Sequence, residues 1–154
     1  MKLQIVCAGK VKDTWLREAI EEYTKRLCRF CSLSIIEVPD APDHLPREQA
    51  LKKEGDAMLA KIKPSSLLWL MDLSGVTMDS VRFSETLIRA FDQGGAELTI
   101  MIGGSNGFSR EVLDRADFRV RFSDMTMTHT MARLFLVEQC YRAFKIANNE
   151  SYHK

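Results

Sequence analysis

The stretch "TIMIGGSNGFS", Thr99 to Ser109, carries apolar strand-forming residues straight into a pair of glycines. Such a turn after a buried strand brings bare backbone close to another chain segment or to a ligand. A phosphate loop needs a lysine followed by Ser or Thr at the next helix start, and "GGSNGFSRE" offers none. The dinucleotide fingerprint fails as well, because the glycines are spaced G-G-x-x-G and come late in the chain. The other chemically capable groups are few. His44, His129 and His153 are the three histidines, and Cys28 and Cys31 form one CxxC without a second ligand pair. No metal site is expected from that spacing.

The elements that must position these groups alternate along the chain. "KLQIVCA" reads as a strand, and Trp15, Leu16, Ala19, Ile20, Tyr23 and Leu27 then recur with helical period. Asp13 or Thr14 is placed to cap that helix. "LSIIEVP" is a second strand, followed by a loop with three prolines and a helix around Leu51, Met58, Leu59 and Ile62 that Pro64 stops. "LLWLMDL" is continuously apolar, as a central parallel strand covered on both faces must be. A third helix carries Phe83, Leu87, Ile88 and Phe91 and ends at Gly94-Gly95. "ELTIMIGG" follows, then a helix capped by Ser109 with Phe108 and Leu113 at staple spacing, then the short strand "FRVRFS". The last helix runs through Met131, Leu134, Phe135, Val137, Cys140, Tyr141 and Phe144. Its apolar face is wide enough for either deep burial or a dimer interface.

This order predicts an α/β fold, a mainly parallel sheet with helices on both faces, in one domain spanning 1–154. In such sheets ligands bind at the carboxyl ends of the strands. Three strand ends share that edge: Met71 to Gly75, the glycine turn, and Phe122 to His129. With Met71, Met125 and Met127 around backbone amides and carbonyls, the pocket suits an adenine ring and a sulfonium better than a polyphosphate. Plain turn chemistry is the competing account.

Composition sets the outer bounds. The 154 residues are 45% hydrophobic and 28% charged, with net charge +1, so any basic surface is local or pooled between subunits. Neither a signal peptide nor a membrane span is expected, and four cysteines without a disulfide framework suit a reducing, cytoplasmic location.

Seven blocks in order, "MKLQIVCAGK", "IIEVPD", "KEGDAMLAKIKP", "IGGSNGFS", "FSDMTMTHTMAR", "EQCYRAFKI" and "YHK", make the chain similar to the SPOUT-class methyltransferases that modify N3 of a pseudouridine in large-subunit ribosomal RNA. The resemblance covers essentially the whole chain. It implies a C-terminal trefoil knot, which general chain-threading rules argue against. It also implies S-adenosylmethionine as methyl donor, held by Met71, Gly103, Phe122, Ser123, Asp124, Met125, Thr126 and Met127. Met71 stands where the family pattern has leucine, and no proline precedes His129.

The N3 nitrogen of pseudouridine carries a proton, so methylation needs a proton acceptor, and His153 and His129 are the candidates. The resemblance implies a homodimer in which the tail reaches the active site across the interface. Tyr152 is then placed to stack on the base, and Arg142 to hold a phosphate or balance charge on the pyrimidine. Arg142 has a competing role as a helix-surface partner of Glu138. Arg110, Arg133, Arg142 and Lys154 are expected to pool into one basic groove on ribosomal RNA or the assembled ribosome. Other readings are a SPOUT enzyme for a different RNA, a non-catalytic S-adenosylmethionine binder on the ribosome, and, more distantly, a flavodoxin-like nucleotide binder.

Overall fold

Alternate residues of the three central strands point into different cores, and this organises the molecule. Strand β1 (Lys2–Ala8) sends Leu3, Ile5 and Cys7 to one side and Val6 and Ala8 to the other. Strand β3 (Leu67–Thr77) divides Trp69 from Leu68 and Leu70, and β4 (Glu97–Ile102) divides Leu98, Ile100 and Ile102 from Met101. Both faces of these strands are therefore apolar, as parallel strands require when helices cover both sides. The computed structural model describes residues 1–152, so His153 and Lys154 lie outside the described residues.

The remaining elements are β2 (Ser32–Val38), β5 (Phe118–Arg121) and the helices α1 (Thr14–Leu27), α2 (Arg47–Leu59), α3 (Ser80–Gln93), α4 (Arg110–Arg115) and α5 (His129–Ala147). The five strands run in the order β2-β1-β4-β3-β5, and every neighbouring pair is parallel. Helices α1, α3 and α5 bury Leu16, Leu87, Leu136 and Phe144 in the larger core. Helices α2 and α4 bury Met58 and Val112 in the smaller one. Among the described residues no helix is long and apolar enough to cross a membrane.

Two local expectations shift. Helix α2 ends at Leu59 rather than Ile62: the amides of Lys61 and Ile62 bond three residues back, to Met58 and Leu59. Pro64 disfavours helical backbone at Lys63, so the chain unwinds before reaching it. Strand β3 continues past "LLWLMDL" to Thr77. It bulges between Met71 and Val76, which both pair with Val120. Gly75 allows this, since a Cβ there would lie 2.6 Å from the Val120 nitrogen.

The wide face of α5 is spent mostly inside the chain: Leu136, Val137, Cys140 and Phe144 are buried between α1, α3 and the sheet. Phe135 remains 45% exposed.

Arg133 is corrected more fully. It is 1% exposed, pairs through Nη1 with Glu37, and donates from Nη2 to the Gly9 carbonyl at 3.1 Å. The same Glu37 oxygen accepts the Val11 amide at 3.2 Å. Arg133 thus ties α5, β2 and the β1–α1 loop together and is unavailable to an RNA groove.

A buried guanidinium that loses its counter-charge is costly. Glu37→Gln is expected to lower stability by about 3 kcal/mol in urea unfolding, because Arg133 stays buried and charged. A loss below about 1 kcal/mol would mean that the loop carbonyls alone compensate Arg133.

Candidate active site

Strands β4, β3 and β5 lie side by side with Met71 opposite both Ile102 and Val120. The bulge that follows Met71 and the loops leaving Ile102 and Arg121 therefore lie one strand spacing apart, about 4.8 Å. They enclose a cavity of about 880 Å³, within the size range of small-molecule sites.

The floor is the glycine turn. Gly107 donates its amide to the Gly104 carbonyl at 3.1 Å and adopts φ +85°, a left-handed conformation suited to glycine. A Cβ on Gly103 would lie 2.6 Å from the Gly107 carbonyl oxygen. Glycine at 103 is therefore required by the closure of the turn itself, before any ligand is considered. Ser109 then accepts the Val112 amide and starts α4.

The opposite wall is the β5–α5 loop. Ser123 Oγ accepts the Met125 amide at 2.8 Å, and Thr128 Oγ1 caps α5 through the Met131 amide. Met71, Gly103, Phe122, Ser123, Met125, Thr126 and Met127 all line the cavity, as does His129. Asp124 does not. Its side chain is 84% exposed and turned to Arg121 at 2.7 Å, because that pairing draws it away from the cavity. Arg121 also donates to Thr77 Oγ1 at 2.7 Å, so this arginine is already engaged on two sides.

This lining decides what fits. Its lining includes no lysine among the described residues, and its arginine, Arg121, is held by Asp124 and Thr77, which leaves polyphosphate poorly matched. Methionine thioethers, Leu73, Ile102 and Phe122 give a soft, polarizable surface, with backbone amides and carbonyls at the two loops. An adenosyl group with a sulfonium fits that donor set. Asp72, Leu73, Ile102, Gly104, Phe108 and Thr130 also line it; all but Thr130 fall within the strand end Met71 to Gly75 or the stretch Thr99 to Ser109 that the sequence singles out.

Arg142 and Tyr152 are elsewhere. Thirteen residues of α5 separate His129 from Arg142, so they lie about 20 Å apart along the helix. Tyr152 packs edge-on against Tyr141, with centroids 5.0 Å apart, and donates to Glu138 Oε1 at 3.1 Å. Arg142 lies 4.8 Å over the Tyr152 ring and pairs with the same Glu138 oxygen at 2.6 Å. Burial, with the Tyr23 and Glu138 hydrogen bonds, pushes the Tyr152 phenol up, so it is an O–H donor at neutral pH and not a proton acceptor. Burial likewise raises the Cys31 thiol to about 11 and the Cys7 thiol to about 12, which leaves both protonated and poorly nucleophilic.

Known proteins match this arrangement along its full length. A family model described as "Predicted SPOUT methyltransferase" matches residues 1–153. This chain belongs to the SPOUT methyltransferase family. "Ribosomal RNA large subunit methyltransferase H" of Carboxydothermus hydrogenoformans is 47% identical over 159 residues, covering 100% of both chains. The proteins of that name from Clostridium perfringens (strain 13) and Acetivibrio thermocellus are each 43% identical, again over 100% of both chains. SPOUT methyltransferases take their methyl group from S-adenosylmethionine, and the family fold implies the C-terminal knot.

Because Gly103 closes against Gly107, an added methyl group distorts the floor of the cavity. Gly103→Ala is expected to weaken S-adenosylmethionine binding more than tenfold, over about 1.4 kcal/mol, by calorimetry. Unchanged affinity in a folded variant would place the cofactor elsewhere.

Proposed function

We propose that this chain methylates N3 of a pseudouridine in large-subunit ribosomal RNA, on the assembled ribosome, as a cytoplasmic homodimer. The observation that carries the reading is the cavity between three strand segments, lined mainly by thioether, apolar and backbone groups, with its arginine, Arg121, already paired to Asp124. Relatives matched over the whole of both chains and named as ribosomal RNA large subunit methyltransferases supply the substrate class.

Met71, Gly103, Phe122, Ser123, Met125, Thr126 and Met127 are the cofactor-holding residues of this reading, with Asp124 kept only for its backbone. Bound there, S-adenosylmethionine supplies a methyl group activated by a positive sulfur. The chain has to place N3 in line with that methyl group and remove the N3 proton. His129, at the start of α5 and on the cavity wall, is one acceptor of the proton; His153 is the other. The Arg142 guanidinium balances the negative charge that spreads over the pyrimidine carbonyls as the proton leaves. Tyr152 donates its O–H or stacks on the base.

Within one protomer Arg142 and Tyr152 sit a helix length from the cavity, so they serve the partner's cavity in this reading. Exposed Phe135, tilted against the cavity residue Phe122 at 6.2 Å, and Met127 provide apolar area for that contact. Glu138 holds both Arg142 and Tyr152 in the isolated chain, and substrate has to replace it.

The decisive experiment is the modified-nucleoside content of ribosomal RNA from a strain lacking this chain. Loss of N3-methylpseudouridine supports the proposal, and its persistence with loss of another methylated nucleoside redirects it to a different RNA site.

The shared site has its own test. Arg142→Ala and Gly103→Ala proteins, each inactive alone, are expected to regain on the order of a quarter of the parent activity when mixed, because mixed dimers contain one intact composite site. No recovery despite subunit exchange would confine catalysis to one protomer. Removal of residues 152–154 is expected to abolish methyl transfer, and His153→Ala to lower kcat far more than affinity for ribosomes. Parent-rate methylation by the truncated protein would leave His129 or solvent as the base.

A further inference from the structure

The block "KEGDAMLAKIKP" contains a carboxylate that the proposed mechanism does not use. Glu54 is 93% buried (7% exposed), on the face of α2 turned toward the sheet. Its Oε1 accepts the Ala41 amide at 2.9 Å, which anchors the loop after β2. Its Oε2 lies against the glycine turn: a Cβ built on Gly104 would sit 2.8 Å from it. The next residue, Gly55, has no room for a side chain because Ser109 Oγ would lie 2.4 Å from its Cβ. About two turns earlier, on the outside, Arg47 donates to the Asn106 carbonyl. Helix α2 therefore grips the turn at Gly104, Asn106 and Ser109.

Glu54 is not part of the cavity wall, whereas Gly103 and Gly104 are. Its carboxylate stands directly behind the backbone that the cavity presents. A carboxylate is rarely left this deep in a protein without a charged partner, and no lysine or arginine pairs with Glu54 among the described residues. A cationic ligand across the turn supplies what is missing. The methyl donor carries a sulfonium; its product, S-adenosylhomocysteine, is a neutral thioether that otherwise has the same groups.

We propose that Glu54 is a positioning and specificity-determining residue of the cofactor pocket, which seats Gly104 from behind and favours the positively charged methyl donor over its neutral product. The inference rests on reading the cavity as the cofactor site. In a low-dielectric setting a fixed negative charge acts through one layer of backbone, and the sulfonium is the only charge by which donor and product differ in its field. Discrimination of this kind also lets product leave once the charge on sulfur is gone.

The test is calorimetric titration of the full-length protein with S-adenosylmethionine and with S-adenosylhomocysteine. Glu54→Gln keeps the shape and an oxygen for the Ala41 amide but removes the charge. The ratio of donor to product affinity is expected to fall about tenfold relative to the parent. Glu54→Asp keeps the charge and retracts it, so both ligands are expected to weaken together with the ratio preserved. A parent ratio in Glu54→Gln would overturn the proposal and leave Glu54 a purely structural contact. Collapse of the ratio in Glu54→Asp would overturn it as well. Failure of the parent protein to bind either ligand would instead remove the cofactor reading of the cavity, a separable result.

Discussion

Parallel pairing of β3 with β4 on one side and β5 on the other sets where everything else can go. With Met71 level with Ile102 and Val120, three loops must leave the sheet together and in the same direction. Parallel strands also need long crossovers, so each loop is followed by a helix that packs back over one face. A cavity at that edge is the consequence, and its walls are whatever the loops carry. Here they carry glycines, methionines and hydroxyls instead of lysines. The preference for an adenosyl sulfonium over a phosphate follows from that inventory.

Helix α5 couples this edge to the body of the protein. Its first residues line the cavity, its middle fills the larger core, and its end holds Arg142 against Glu138 and Tyr152. Arg133, one turn beyond His129, fastens the helix to Glu37 and to the carbonyl of Gly9. A shift of α5 would move the cavity wall and break a buried ion pair together. The rigid length of the helix also separates Arg142 from the cavity, which is why the proposed function places a composite site between protomers.

Charge is handled in the same local way. A chain with net charge +1 has little long-range field. Several arginines near functional elements are held by carboxylates: Arg121 by Asp124, Arg133 by Glu37, Arg142 by Glu138. In the proposed function, engaging RNA through Arg142 would mean exchanging Glu138 for a phosphate or a base, which would tie cation availability to substrate arrival. Glu54 is the reverse case, an acid buried without a basic partner among the described residues, behind one of the three loops that face the cavity.

Local sequence determined the elements and their faces. Period-two and period-3.6 patterns are written in neighbouring residues, so β1 to β5, the cap at Ser109, and the meeting of three strand segments follow from short-range stereochemistry. Most cavity residues were legible for the same reason: a residue at the carboxyl end of a parallel strand has few other places to be. What depends on contacts distant in sequence was not legible. Arg133 reads as one more basic residue until Glu37, 96 positions away, meets it. Asp124 sits among cavity residues in sequence yet turns outward to Arg121. The bulge in β3 exists because Gly75 passes the backbone of Val120, 45 positions later. Arg142 and Tyr152 read as companions of the cavity, and only the rigid rise of α5 holds them at the far end of the same chain. Periodicity records which face a residue takes; the partner it meets there is decided by the packing of segments that the sequence keeps apart.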